Sequence, residues 1–220
     1  MPAKLTISSK TYSSWSLRGY LMCRIAGLDF EEAAAPLDDP GVRAELLHLA
    51  PSFLVPSLEI DGIRVWDVIA IAEYLHESAP EAGLYPADRA ARAVCRSIVG
   101  EVHGGFYNLR SALPMNLRAR HEGFRVFPGA QPDIDRVLEI WRERLDADGG
   151  PFLFGPAANA ADAMMAPIAG RFRTYGVSLE PWAAAYRDAI FAWEPMRDWT
   201  AAAELEEDAI DELEDLDVEF

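Results

Sequence analysis

Cysteine is scarce in this chain of 220 residues: Cys23 and Cys95 stand far apart with no Cys-x-x-Cys spacing, which argues against a disulfide framework, a redox pair or a cysteine-based metal site. Both fall inside helical patterns and read as buried, unreactive thiols. The four histidines show no metal-ligand spacing, so no metal is expected. No apolar run approaches the roughly 18 residues that a membrane span needs, and the N-terminus opens on a strand-like run instead of a basic-then-apolar leader. A cytoplasmic location with no membrane partner is the expectation. Basic charge is short as well: the formal net charge is −16, and residues 204–220 carry ten carboxylates and no Lys or Arg, leaving −6 for the rest. Neither part has the net basic surface that releases counterions from phosphate, so nucleic acid is not an expected partner.

What is abundant is apolar. Half of the residues are hydrophobic, enough for a sizeable core in one large or two modest domains. The first 79 residues alternate: strand over Lys4 to Ser9, helix over Leu17 to Ala26, strand over Phe30 to Pro36, helix over Val42 to Leu49. Two strands follow, Pro56 to Ile60 and Ile63 to Trp66, and then a helix, Val68 to Glu77. Asp61-Gly62 between the paired strands predicts a type I′ hairpin. This order gives a mixed sheet flanked by helices. After a linker near Pro80 to Pro86 the strands stop. Ala87 to Leu113, Pro132 to Ala147, Ala160 to Tyr175, Glu180 to Ala192 and Met196 to about Leu216 read as helices, with Asn159 to Asp162 as an N-capping arrangement. The Gly104-Gly105 pair inside the first of them costs about 1 kcal/mol per glycine relative to Ala and marks either a close approach of backbone or ligand, or a kink. The fold class is α+β with two domains, divided into 1–79, 87–203 and an acidic tail, 204–220.

The stretch richest in chemistry is Lys10-Thr-Tyr-Ser-Ser-Trp-Ser-Leu-Arg18. Ser13, Ser14 and Ser16 fall between a strand and a helix, where hydroxyls and backbone N–H groups converge at the positive end of the helix dipole. Serine is also a favoured N-cap, and one of the three is expected to do only that.

With Tyr12-Ser-Ser-Trp-Ser-Leu-Arg18, Val55-Pro56, the helix Asp67-Val-Ile-Ala-Ile-Ala-Glu-Tyr-Leu75 and the Asn159 to Asp162 box in this order, nearly the whole chain resembles the cytosolic glutathione transferases, in particular bacterial members with a zeta-like serine motif. The resemblance implies a thioredoxin-like α/β domain with a four-stranded mixed sheet, an all-helical second domain, glutathione as co-substrate and a homodimer. It implies that Ser13, or Ser14 next to it, donates a hydrogen bond to the thiolate. It also implies that Val55 offers its backbone to the cysteinyl part ahead of a cis Pro56, and that Asp67 faces the ammonium of the γ-glutamyl group while Val68 offers a backbone N–H to its carboxylate. Tyr12 is a second possible donor that more often would pack. Arg18 reads as a structural bridge. An electrophile site bordered by Trp15, His103, Phe106, Tyr107 and Arg110 would lie between the domains, although all of these are equally good core residues. Three departures from the family pattern stand out: Trp15 where zeta-like members have cysteine, Phe53-Leu54 where a polar residue usually precedes Val-Pro, and Val68 where a hydroxyl is usual. The last two thin the polar grip on glutathione by about 0.5–1.5 kcal/mol per lost hydrogen bond.

The implied function is activation of the glutathione thiol for attack on a small hydrophobic electrophile, or a related isomerisation or thiol exchange. The alternative is a non-catalytic binding or interaction module on the same fold. The tail has two readings: a helical stripe of Leu205, Ile210, Leu213 and Leu216 docked on the body, with Arg118, Arg120 and Arg125 as partners, or a solvated acidic segment. On the second reading, removing residues 204–220 changes glutathione affinity less than about threefold, because exposed charges beyond a Debye length of about 8 Å are screened.

Overall fold

A computed structural model describes residues 2–36, 39–46, 55–121, 123–207 and 209–214. Strands β1 (Ala3–Ile7), β2 (Phe30–Ala34), β3 (Ser57–Ile60) and β4 (Ile63–Trp66) form one mixed sheet in the order β2-β1-β3-β4. β1 runs parallel to β2 and antiparallel to β3, with Leu5 opposite Leu58, and β3 runs antiparallel to β4. The β3–β4 turn has positive φ at Asp61 (53°) and Gly62 (82°), as a type I′ turn requires. Helices α1 (Ser14–Ile25), α2 (Pro40–Leu46) and α3 (Val68–Ser78) complete this thioredoxin-like domain. The expected helix over Val42 to Leu49 is described only as far as Leu46, and Phe53 and Leu54 lie outside the described residues.

The remainder is helical: α4 (Arg89–Gly104), α5 (Tyr107–Ala112), α6 (Gln131–Asp148), α7 (Ala160–Thr174), α8 (Pro181–Ala192), α9 (Glu194–Glu204) and a last short turn, α10 (Asp211–Glu214). Helix α7 is buried on every side, Ala160 through Phe172. A helix apolar all round is a core helix, and here α1 and α4 pack on it. α1 is therefore sandwiched between the sheet and α7, with Leu17, Leu21 and Met22 fully buried. The domains are tied by Arg18, whose Nε donates to the Met164 carbonyl at 3.0 Å, and by a bidentate Arg96–Glu73 pair with both bonds at 2.9 Å.

Two expected helices are divided. The helix over Ala87 to Leu113 stops at Gly104: the chain extends at Gly105 and turns through a positive φ at Phe106 (57°) before α5 begins. A side chain at Gly105 would meet the Glu101 carbonyl oxygen at 2.6 Å, so the glycine pair is a break in the helix and not a strained interior. The helix over Met196 to Leu216 ends at Glu204; Leu205 is 82% exposed and takes no part in a stripe, and Leu216 lies outside the described residues. Glu206, Ile210, Leu213 and Glu214 nonetheless dock on the body. Ile210 and Leu213 are buried in a second apolar cluster with Tyr12, Ala35, Val42 and Val55, and Arg118 holds both the Glu206 carbonyl and the Glu214 carboxylate. Of the two readings of the tail, these contacts agree with the docked one for its described residues.

The capping box at the start of α7 is complete. Asn159 accepts from Ala161 N–H at 2.9 Å, while Asp162 accepts from the N–H of Asn159 and of Leu153, each at 3.0 Å, and from the Tyr186 hydroxyl at 2.9 Å. Burial pushes the Asp162 carboxyl up to about 6, against the pull of these donors. Asp162→Ala strands three donors in a dry site and removes a cap. The expected loss is at least about 4 kcal/mol of unfolding free energy, since each of the three unsatisfied buried groups costs about 1–3 kcal/mol and a cap about 1. Urea denaturation with an unchanged slope checks it.

Candidate active site

The serine-bearing turn sits where β1 ends and α1 begins. Ser13 is the N-cap of α1: its Oγ accepts from Ser16 N–H at 3.2 Å and donates to Ser16 Oγ at 2.9 Å. Ser16 Oγ in turn accepts from Ser8 N–H at 3.0 Å. The Ser13 proton is thus spent inside a serine cluster. Ser14 is the first residue of the helix and 1% exposed, yet its Oγ has no hydrogen-bond partner among the described residues. A buried hydroxyl without a partner is rare and calls for a cause. This one lies at the positive end of a twelve-residue helix with no acidic residue in its first turn, a place that favours an anion.

Pro56 is held against the same helix. Val55–Pro56 is cis, as expected; a second cis bond, Gly150–Pro151, was not foreseen. A Cβ added at Gly19 would meet Pro56 Cβ at 2.7 Å. The absent side chain at Gly19 is what lets the Val55–Pro56 turn close on α1. Across the turn, Val55 packs with Tyr12. Its backbone N–H and carbonyl have no partner among the described residues.

Asp67 caps α3, accepting from Ile69 N–H at 2.8 Å through Oδ1, at a positive φ of 72°. Its Oδ2 lies 2.6 Å from His103 Nε2 on α4. Burial pushes the Asp67 carboxyl up, but the bonds from His103 and Ile69 outweigh it and hold it below the usual carboxylate value. Val68, the first residue of α3, is 1% exposed and buried in the main core, so only its backbone N–H can face a ligand.

Trp15 is the junction between the domains. Its ring lies 4.5 Å from the guanidinium of Arg18, 4.7 Å from that of Arg110 and 5.2 Å from the His103 ring. Of the expected electrophile site, then, Trp15, His103 and Arg110 come together. Phe106 is buried in the core, and Tyr107 is 69% exposed and turned to solvent. Tyr12 is engaged elsewhere: its hydroxyl donates to the Glu214 carboxylate and accepts from Arg118 Nη2 at 3.0 Å. Burial first, and then the bond to Glu214, push its phenol above the ordinary value; its one proton is already given to Glu214, which removes it as a donor to sulfur. Of the docking expected for the tail, Ile210, Leu213 and Arg118 take part; that Glu206 and Glu214 are the carboxylates that turn inward had no signal in the sequence, because their partners lie about 200 residues away.

A mixed four-stranded sheet, a cis-proline turn against the first helix and a buried hydroxyl at that helix's N-terminus define a thioredoxin-like fold and mark a candidate site at the C-terminal end of β1. Residues 12–78 match the glutathione S-transferase N-terminal domain, and residues 101–194 match the glutathione S-transferase C-terminal domain. The chain belongs to the glutathione S-transferase family. Among curated proteins it is similar to maleylacetoacetate isomerase of Rattus norvegicus, with 28% identity over 173 residues, 77% of this chain and 79% of that protein. Among solved structures it is similar to a Burkholderia glutathione transferase homologue with bound glutathione (TM-score 0.70, 24% identity, 94% of this chain and 100% of that one). It is also similar to maleylacetoacetate isomerase of Anaeromyxobacter dehalogenans with bound dicarboxyethyl glutathione and citrate (TM-score 0.65, 24% identity, 95% and 98%).

Two measurements check this geometry. Burial pushes the thiols of Cys23 and Cys95 up to about 12, so an aromatic disulfide reagent should titrate neither in the native protein at pH 7 and both after unfolding in guanidinium. Gly19→Ala should cost about 1–3 kcal/mol of stability by overpacking and weaken ligand binding as Pro56 is displaced; equal stability and binding would show that the proline is not clamped by α1.

Proposed function

We propose that the protein is a glutathione-dependent enzyme in which Ser14, rather than Ser13, donates a hydrogen bond to the sulfur of glutathione. The observation that carries this is the partnerless Ser14 hydroxyl at the N-terminus of α1. Glutathione at neutral pH is mostly a thiol, and the reacting species is the thiolate. A hydroxyl donor together with the helix end lowers the energy of the negative sulfur without taking its proton. In this reading the cysteinyl backbone pairs with the N–H and carbonyl of Val55. The γ-glutamyl carboxylate meets the Val68 N–H, and its ammonium meets Asp67, which stays ionised because His103 supports it.

The acceptor then lies against Trp15. The positive charge of Arg110 beside that ring favours an anionic or carbonyl-bearing acceptor over a purely apolar one. The curated relatives include maleylacetoacetate isomerases, and one chemistry serves both isomerase and transferase. The thiolate adds to one carbon of an electrophilic double bond, forming the C–S bond as the π electrons move to the neighbouring carbonyl oxygen. If the enolate then rotates and expels the thiolate, the product is the trans isomer and glutathione is returned. If it is protonated on carbon, the product is the conjugate. The protein is further proposed to work in the cytoplasm, where glutathione is reduced, and as a homodimer whose contacts include the exposed Ile63 and Trp66 of the edge strand β4 and Val94 of α4.

The test is a pair of substitutions with two readouts. Ser14→Ala should lower glutathione-dependent turnover of maleylacetoacetate or of an aryl halide at least tenfold, which is about 1.4 kcal/mol of transition-state stabilisation, with unfolding free energy unchanged. Ser13→Ala should instead cost about 1 kcal/mol of stability as a lost cap and change turnover less. The reverse pattern moves the role to Ser13. A protein retained on immobilised glutathione and eluted by it, yet inert with every acceptor, would be a binding module on this fold.

A further inference from the structure

The acidic C-terminal segment is anchored on the loop that leads into the serine turn. Glu206 Oε2 accepts from the Ser9 hydroxyl at 2.8 Å and from Thr11 N–H at 2.9 Å, and its Oε1 accepts from Lys10 N–H at 2.5 Å. Three donors on one carboxylate make a charge-assisted clamp. Four residues on, Ile210 N–H donates to the Tyr12 hydroxyl at 3.4 Å, and that hydroxyl donates in turn to the Glu214 carboxylate. Arg118 closes the ring: it donates to the Glu206 carbonyl, to Tyr12 Oη at 3.0 Å and to Glu214 at 3.3 Å. Between these two fastenings, Ile210 (4% exposed) and Leu213 (5%) lie in one apolar cluster with Tyr12, Ala35, Val42 and Val55. The segment thus shares an apolar cluster with Val55, the residue whose backbone the reading above assigns to glutathione, and it is tied to the loop immediately before Ser13 and Ser14.

We propose that Glu206 and residues 209–214 form an internal strap over the ligand site, closed by Glu206 on the Ser9–Thr11 loop and by Glu214 on Arg118 and Tyr12, and that it lifts before a ligand reaches Val55. The Glu214 fastening suits that use. The Glu214–Arg118 pair is partly exposed, a setting in which ion pairs contribute little and are screened by salt. Only two side chains of the strap are described as buried among the apolar cluster, and local opening is least costly where few apolar contacts break. The strap acts as an intramolecular competitor: the free energy of lifting it subtracts from that of binding, and weakening the fastenings raises apparent affinity in proportion to the open fraction. That the covered site takes glutathione rests on the function proposed above; that the strap covers Val55 does not.

The experiment separates the two. In Val55→Cys protein, with the native cysteines buried, iodoacetamide should alkylate position 55 slowly in the intact chain. Alkylation should be at least tenfold faster after truncation behind Leu205, or in the Glu206→Gln/Glu214→Gln double variant, which keeps the chain whole if truncation harms folding. Equal rates overturn the strap. Without the Val55 substitution, the truncated and double-variant proteins should bind glutathione at least threefold more tightly than the intact protein in calorimetry, with the on-rate rising. Unchanged or weaker binding overturns the competitor role and makes the segment a wall that holds the ligand. If no form binds glutathione, the function proposed above fails, and the alkylation rates alone decide whether the strap covers position 55.

Discussion

The first turn of α1 is the constraint on which the rest depends. A helix that starts at the end of a central strand must satisfy its first N–H groups or offer them to a ligand. Here Ser13 does the first: its hydroxyl takes the N–H of Ser16, and the Ser8–Ser16 contact ties that cap to the strand end. Because the cap is filled from outside the helix, Ser14 is left at the positive end with its own hydroxyl uncommitted. The same helix cannot shift to relieve that isolation, since it is pinned by Pro56 against Gly19 on one side and by the Arg18–Met164 bond on the other. Preorganisation of this kind stabilises developing charge without rearrangement at the moment of reaction.

Around that turn, polar groups are used sparingly and shared. Asp67 is at once a helix cap, the partner of His103 and the proposed counter-ion of an ammonium group, so a single carboxylate links α3, α4 and the ligand. His103 in turn lies on Trp15, whose ring also carries Arg110. With a core valine at Val68, what that position can offer a ligand is a backbone N–H at a helix start, whose strength does not depend on side-chain identity. Carboxylates elsewhere are equally economical: among the described residues of the tail, Glu206 and Glu214 turn inward onto N–H, hydroxyl and guanidinium donors.

Most of the fold was legible because it rests on local signals. Asp61-Gly62 set a hairpin, Asn159 with Asp162 set a cap, and the order of strands and helices set a mixed sheet followed by a bundle; each follows from backbone preference over a few residues. The breaks at Gly105 and Glu204 were less legible, since periodicity continues across them and the deciding contacts, a glycine against its own preceding turn and a tail turning back over the body, are geometric.

Which serines sit at the helix start, that Val55 precedes a proline, and that Asp67 opens a helix were fixed by the sequence, because these are properties of neighbours along the chain. That Ser14 Oγ has no partner among the described residues, that His103 supports Asp67, that Tyr12 is taken up by Arg118 and Glu214, and that Ile210 and Leu213 join Val55 in one apolar cluster were decided by tertiary structure alone. For the last three the physical reason is distance, since they join residues 36 to about 200 positions apart; for the serines it is direction, since a hydrogen bond depends on where two groups meet in space, which no pattern of spacing encodes.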